Sequence, residues 1–180
     1  MIHLFNHTRC PDRPIRDILV FAARAIGVKG NVCVKVIHFR RGRREAYASS
    51  VFPYRGFMRG ARDRRGRNGQ LLGDLPGYVV VSIRSRRKHS PRPEWLDICE
   101  QFAHCAMHEM AHIRQFRENR YFLLRQEEVR LSPGFRMPHD HRPCEVDAEN
   151  QVSEAMRHMR KNLRMQDLVI ALAIAIEEGT

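Results

Sequence analysis

Between residues 94 and 120 apolar side chains recur as Trp95, Ile98, Phe102, Cys105, Met110, Ile113 and Phe116. Steps of three and four residues are those of a helix with an apolar face turned to a core, so a long buried helix is predicted there. Inside it stands His104-Cys-Ala-Met-His108-Glu109-Met-Ala-His112. His108 and His112 are four residues apart, which lays both imidazoles on one helical face, a turn apart and within reach of a single ion.

Glu109 is rotated off that pair yet stays beside it. A carboxylate there can take a proton from a water held by the ion without itself becoming a ligand, which makes Glu109 the candidate general base. The spacing is that of the H-E-x-x-H signature, and a chain of this composition would show it about 0.04 times by accident. Ala106, Met107, Met110, Ala111 and Ile113 supply the small and apolar neighbours needed to bury the back of such a helix. A catalytic zinc uses three protein ligands and one open position, so a third ligand has to come from elsewhere. His139, His141, Cys144, Glu145 and Glu149 are the candidates. Glu145 is favoured because it opens Glu145-Val-Asp-Ala148-Glu149 behind Pro143, at the start of a predicted helix. Glu145 and Glu149 share a face of that helix, so one can bind the ion while the other orients a histidine.

His108-Glu109-Met-Ala-His112 followed by Glu145-Val-Asp-Ala148-Glu149 resembles the gluzincin group of zinc metallopeptidases over roughly residues 77–160. The resemblance implies a zincin-like domain with a strand-rich upper half, an active-site helix below it, and a substrate peptide lying along an edge strand. It implies that zinc is bound by His108, His112 and Glu145, that Glu109 is the general base, and that Glu149 orients a ligand. The H-E-M-x-H sequence and the basic charge are also similar to the SprT/Spartan-like DNA-associated proteases. Their third histidine would correspond to His139 or His141. His104 reads as a residue supporting the site, and Tyr121, Arg142, Arg157 and His158 are candidate donors to a developing oxyanion.

The charge lies elsewhere. Residues 40–92 hold fifteen Arg and Lys against three acids, which is the whole of the chain's formal +12, and the remainder is neutral. Arg dominates this segment and suits bidentate contact with phosphate, while Phe52, Tyr54 and Phe57 could stack on unpaired bases. Nucleic acid or an acidic protein is the partner such a segment would suit. A nucleic-acid-binding protein with a structural or degenerate zinc site is therefore the alternative to a peptidase acting on a peptide or protein substrate.

The rest of the chain predicts a single α+β domain over 1–180, with a small mixed sheet and a basic loop insertion at about 40–76. Ile15, Ile18, Leu19, Ala22, Ala23 and Ile26 mark an N-terminal helix ending at Gly27. Strands are predicted at 32–39, 46–54 and 77–84, a mobile surface loop at 55–73, and helices at 143–161 and 165–176. Residues 121–131 fit more than one state. Five cysteines without a C-x-x-C pair point to a reducing compartment. The start of the chain lacks the pattern of a signal peptide. The longest apolar run, 168–176, is half of what spans a bilayer. A cytoplasmic, monomeric protein is expected, with that apolar run packed internally.

Overall fold

The computed structural model describes residues 1–38, 77–83, 92–118, 120–133, 137–162, 166, 167, 169–172 and 174. The predicted strand at 46–54, the loop at 55–73, the aromatics Phe52, Tyr54 and Phe57 and most of the Arg-rich segment lie outside these residues. The described chain is mixed α/β and mostly helical: β1 (Ile2–Asn6), α1 (Asp12–Ile26), β2 (Val32–His38), β3 (Gly77–Ile83), α2 (Arg92–Arg117), α3 (Arg120–Leu131), a 3-10 turn (His139–His141) and α4 (Pro143–Lys161).

The sheet order is β1-β2-β3, with Leu4 beside Val34 and Val34 beside Val79. Both pairings are parallel, which corrects the expected mixed sheet among the described residues. The cause is the connection. Helix α1 carries the chain from the end of β1 back to the start of β2, so the two neighbours run the same way. The apolar start at Ile2 and Leu4 had no structure assigned from sequence, and it is the strand β1.

One face of the sheet is closed by alternation. Val32, Val34 and Val36 of β2 and Val79, Val81 and Ile83 of β3 are buried in the core. Ile15, Ile18, Leu19, Ala22 and Ile26 of α1 join the same core, as their spacing predicts. Gly27 ends α1 at φ 74°, a left-handed conformation that glycine adopts without a Cβ penalty, and its N–H donates back to the last helical turn.

Helix α2 packs against α1, β3 and α4, and is enclosed along most of its length. Ala103, Ala106 and Ala111 are fully buried, and such small side chains let neighbouring helices come close. The predicted helix continues to about residue 120, but α2 ends at Arg117 and α3 begins at Arg120 as a separate helix, which settles the state of 121–131. Helix α4 keeps its predicted bounds, with Pro143 at its first turn and Cys144, Ala148, Val152, Ala155, Met156 and Met159 on its buried side. Of the apolar run, residues 169–172 and 174 are helical, with Val169 and Leu172 buried in the same core. Among the described residues no helix is long and apolar enough to cross a membrane.

The close approach of β3 to α2 can be tested. A Cβ at Gly77 would lie 2.6 Å from Cδ1 and 2.9 Å from Cγ2 of the buried Ile113, one residue from His112. Gly77→Ala is expected to cost about 1–3 kcal/mol in denaturant unfolding, the usual penalty of overpacking a core. An unchanged unfolding midpoint would show that the strand and helix can separate freely at this point.

Candidate metal centre

Helices α2 and α4 meet antiparallel with matched four-residue steps. His104 Nε2 lies 3.0 Å from Glu149 Oε1, His108 Nε2 3.1 Å from Glu145 Oε2, and His112 Nε2 3.1 Å from the same Glu145 Oε2. The spacing on each helix produces this ladder: residues 104, 108 and 112 share one face of α2, as 145 and 149 share one face of α4. Glu145 and Glu149 stand next to the buried Cys144 and Ala148, so packing of the apolar stripe brings the carboxylates to the histidines.

Three atoms converge. His108 Nε2 and His112 Nε2 are 3.2 Å apart, and Glu145 Oε2 is 3.1 Å from each. The rings meet edge to face, with centroids 4.8 Å apart. His112 is 6% exposed and the Glu145 side chain 14%, so the group is largely shielded from water. Among the described residues this is the group of His, Cys, Asp and Glu able to hold a metal ion.

Protons alone hold this triangle together at a cost while Glu145 is ionised. If both Nε2 atoms donate to the one carboxylate oxygen, two N–H donors are crowded side by side at 3.2 Å. If either loses its proton, its lone pair faces a carboxylate lone pair at 3.1 Å. A cation between the three atoms removes every one of these conflicts. The separations also fit: ligand atoms on a tetrahedral zinc stand about 3.3 Å apart at ordinary zinc–ligand distances.

The electrostatics agree with an ionised Glu145. Burial alone would raise the pKa of its carboxyl, but hydrogen bonds from His108 and His112, with the charges of His112 and His139, hold it far below the usual carboxylate range. Burial likewise pushes the His112 imidazolium toward losing its proton. Glu145, Gln115 and the charge of Glu109 outweigh that, and the net shift of His112 is upward.

The remaining candidates fall into place around the triangle. Glu149 Oε2 lies 3.4 Å from His108 Nδ1 while its other oxygen meets His104, so Glu149 can orient His108 and His104 is paired with Glu149. Half-buried Glu109 follows His108 on α2, close enough for its charge to act on His112. His139 is exposed, with Nε2 3.4 Å from Glu145 Oε1, the oxygen turned away from the two imidazoles. His141 is 3.6 Å from Asp140 and points to solvent. Cys144 is buried, and burial pushes its thiol pKa up, away from the thiolate a metal ligand requires.

The oxyanion candidates divide. Burial raises the phenol pKa of Tyr121, and the charges of Cys144, Glu128 and Glu145 add to this against Arg125. Arg142 is engaged with Met137 O and lies 3.8 Å from Glu128. Arg157 and His158 are exposed on α4, about 18 Å along the axis from Glu145, too far to take part. Sequence reasoning missed Gln115 and Asp147. Gln115 is fully buried and its Oε1 lies 3.0 Å from His112 Nδ1. The available signal was a glutamine between Ile113 and Phe116 on the apolar side of the helix. Compared with known proteins, the chain matches no family model, no curated protein and no solved structure.

Proposed function

We propose that this protein is a zinc-dependent metallopeptidase, with His108, His112 and Glu145 as the metal ligands and Glu109 as the general base. The observation that carries the reading is the triangle of Nε2, Nε2 and Oε2 atoms at 3.1–3.2 Å, three ligand atoms converging at the separations of a tetrahedral zinc site. Two neutral imidazoles and one carboxylate form the donor set that leaves a zinc one open position. When bound, zinc supplies Lewis acidity, lowering the pKa of a coordinated water to about 7 and polarising the substrate carbonyl.

The chain's own groups do the rest. Glu109 accepts a proton from the attacking water as its oxygen bonds to the peptide carbon, then delivers that proton to the leaving nitrogen as the C–N bond breaks. Glu149 holds His108 through Nδ1, and Gln115 holds His112 through Nδ1, so both rings keep Nε2 toward the triangle. Tyr121, whose phenol feels the charge of Glu145, is the candidate donor to the oxyanion. The Arg-rich segment 40–92 is assigned the separate task of recruiting a polyanionic partner or acidic substrate, on its charge alone.

The site of three ligands is also what separates this reading from a structural zinc, which needs a closed fourth position. His104 and His141 are turned to carboxylates of their own and His139 to the far oxygen of Glu145. Purified protein is expected to bind about one zinc per chain and to cleave an unstructured protein substrate such as casein. Chelation should abolish cleavage, and added zinc should restore it. Cleavage that continues at full rate in metal-free protein would sink the proposal.

A further inference from the structure

Gln115 is an amide buried to 0% exposure, and every polar atom of its side chain is used. Its Nε2 donates to Cys144 O at 2.8 Å and to Asp147 Oδ2 at 2.8 Å, while its Oε1 lies 3.0 Å from His112 Nδ1. Asp147 is itself fixed: Gln151 Nε2 donates to the same Oδ2 at 2.8 Å, and Arg120 donates to Oδ1. Turning the amide over would set Oε1 against two oxygens, so its orientation is determined by α4. Oε1 can only accept, hence His112 Nδ1 must carry a proton, and in the neutral ring it is Nε2 that keeps its lone pair.

The second donation matters as much. Cys144 O belongs to the peptide that leads into Glu145, so the same amide ties down the backbone from which the carboxylate ligand projects. Glu149 grips His108 less firmly, at 3.4 Å and with half its side chain exposed. We infer that Gln115 is a positioning residue that sets two of the three metal ligands through one buried amide, His112 by its tautomer and Glu145 by its backbone. The inference rests on the metal centre proposed above and assigns to it the element that joins its two helices.

Zinc affinity, read by competition with a chromophoric chelator, tests this. Gln115→Met has similar volume and no hydrogen-bonding amide, and is expected to bind zinc about 10–100-fold more weakly than wild type, the usual cost of losing such a partner. In zinc-loaded wild type the His112 Nδ1–H should give a slowly exchanging proton resonance, which in Gln115→Met exchanges rapidly. A role in folding alone would lower the unfolding midpoint without moving either readout.

Unchanged zinc affinity in folded Gln115→Met overturns the inference. Should that variant fail to fold, Asp147→Asn carries the test. Its amide loses the donation from Arg120 in one orientation and those from Gln115 and Gln151 in the other, and either loosens the anchor of the Gln115 side chain, so zinc should bind about tenfold more weakly. Affinity equal to wild type there overturns the inference as well. A wild type that takes up no zinc removes the metal centre and this inference with it, and is told apart because the loss precedes any substitution.

Discussion

Glu109→Gln is expected to retain its zinc and to lose peptide cleavage, with kcat falling about 10²–10⁴-fold and KM little changed, the size of effect a lost general base produces. The amide is isosteric with the carboxylate, so packing of α2 is preserved, but it can neither take a proton from water nor return one to the leaving amine. Zinc retention follows from the site itself. Glu109 is not among the converging atoms, and its charge is one of the influences that raise the His112 pKa. Removing that charge makes His112 easier to deprotonate, which favours metal binding over proton binding. A variant that loses zinc would make Glu109 a ligand, and one that cleaves at the wild-type rate would remove it from the mechanism.

The pairing of His108 with His112 was legible because a helix converts four-residue spacing directly into a shared face. The carboxylate that joins them was harder. Glu145 lies 33 residues after His112 and comes beside it because Cys144 and Ala148 dock α4 onto α2. Sequence shows the stripe and the acid beside it, but not the antiparallel register that selects Glu145 over Glu149, His139 or His141. Gln115 was invisible for a related reason: a buried glutamine has meaning only once its partners on another helix are known. In the fold, α1, α4 and the strands at 32 and 77 were read from periodicity. The parallel sheet was not, because pairing direction is set by how α1 returns the chain rather than by the strand residues. The break between α2 and α3 at Arg117 escaped because no proline or glycine marks it.

Glu145→Ala is expected to weaken zinc binding by more than about 100-fold, since removing a partner that merely orients a ligand already costs 10–100-fold. His139→Ala serves as the contrast. His139 faces the other oxygen of Glu145 from an exposed position, so its loss should leave zinc bound. The same substitution has a signature in the metal-free protein that does not depend on metal at all. Glu145 is the principal influence raising the His112 pKa against burial. With it gone, burial is opposed only by Gln115 and Glu109, and the His112 pKa read by NMR should fall. The linked stability changes accordingly. A raised folded-state pKa stabilises the wild type below pH 6.5 and ceases to do so as pH rises through that pKa, while the depressed pKa of Glu145 stabilises it above 4.5 and fails as pH falls. Metal-free wild type should therefore gain most over Glu145→Ala between those two limits. Zinc retained at full affinity by Glu145→Ala would transfer the third ligand to Glu149 or His139, the two other groups within reach of the triangle.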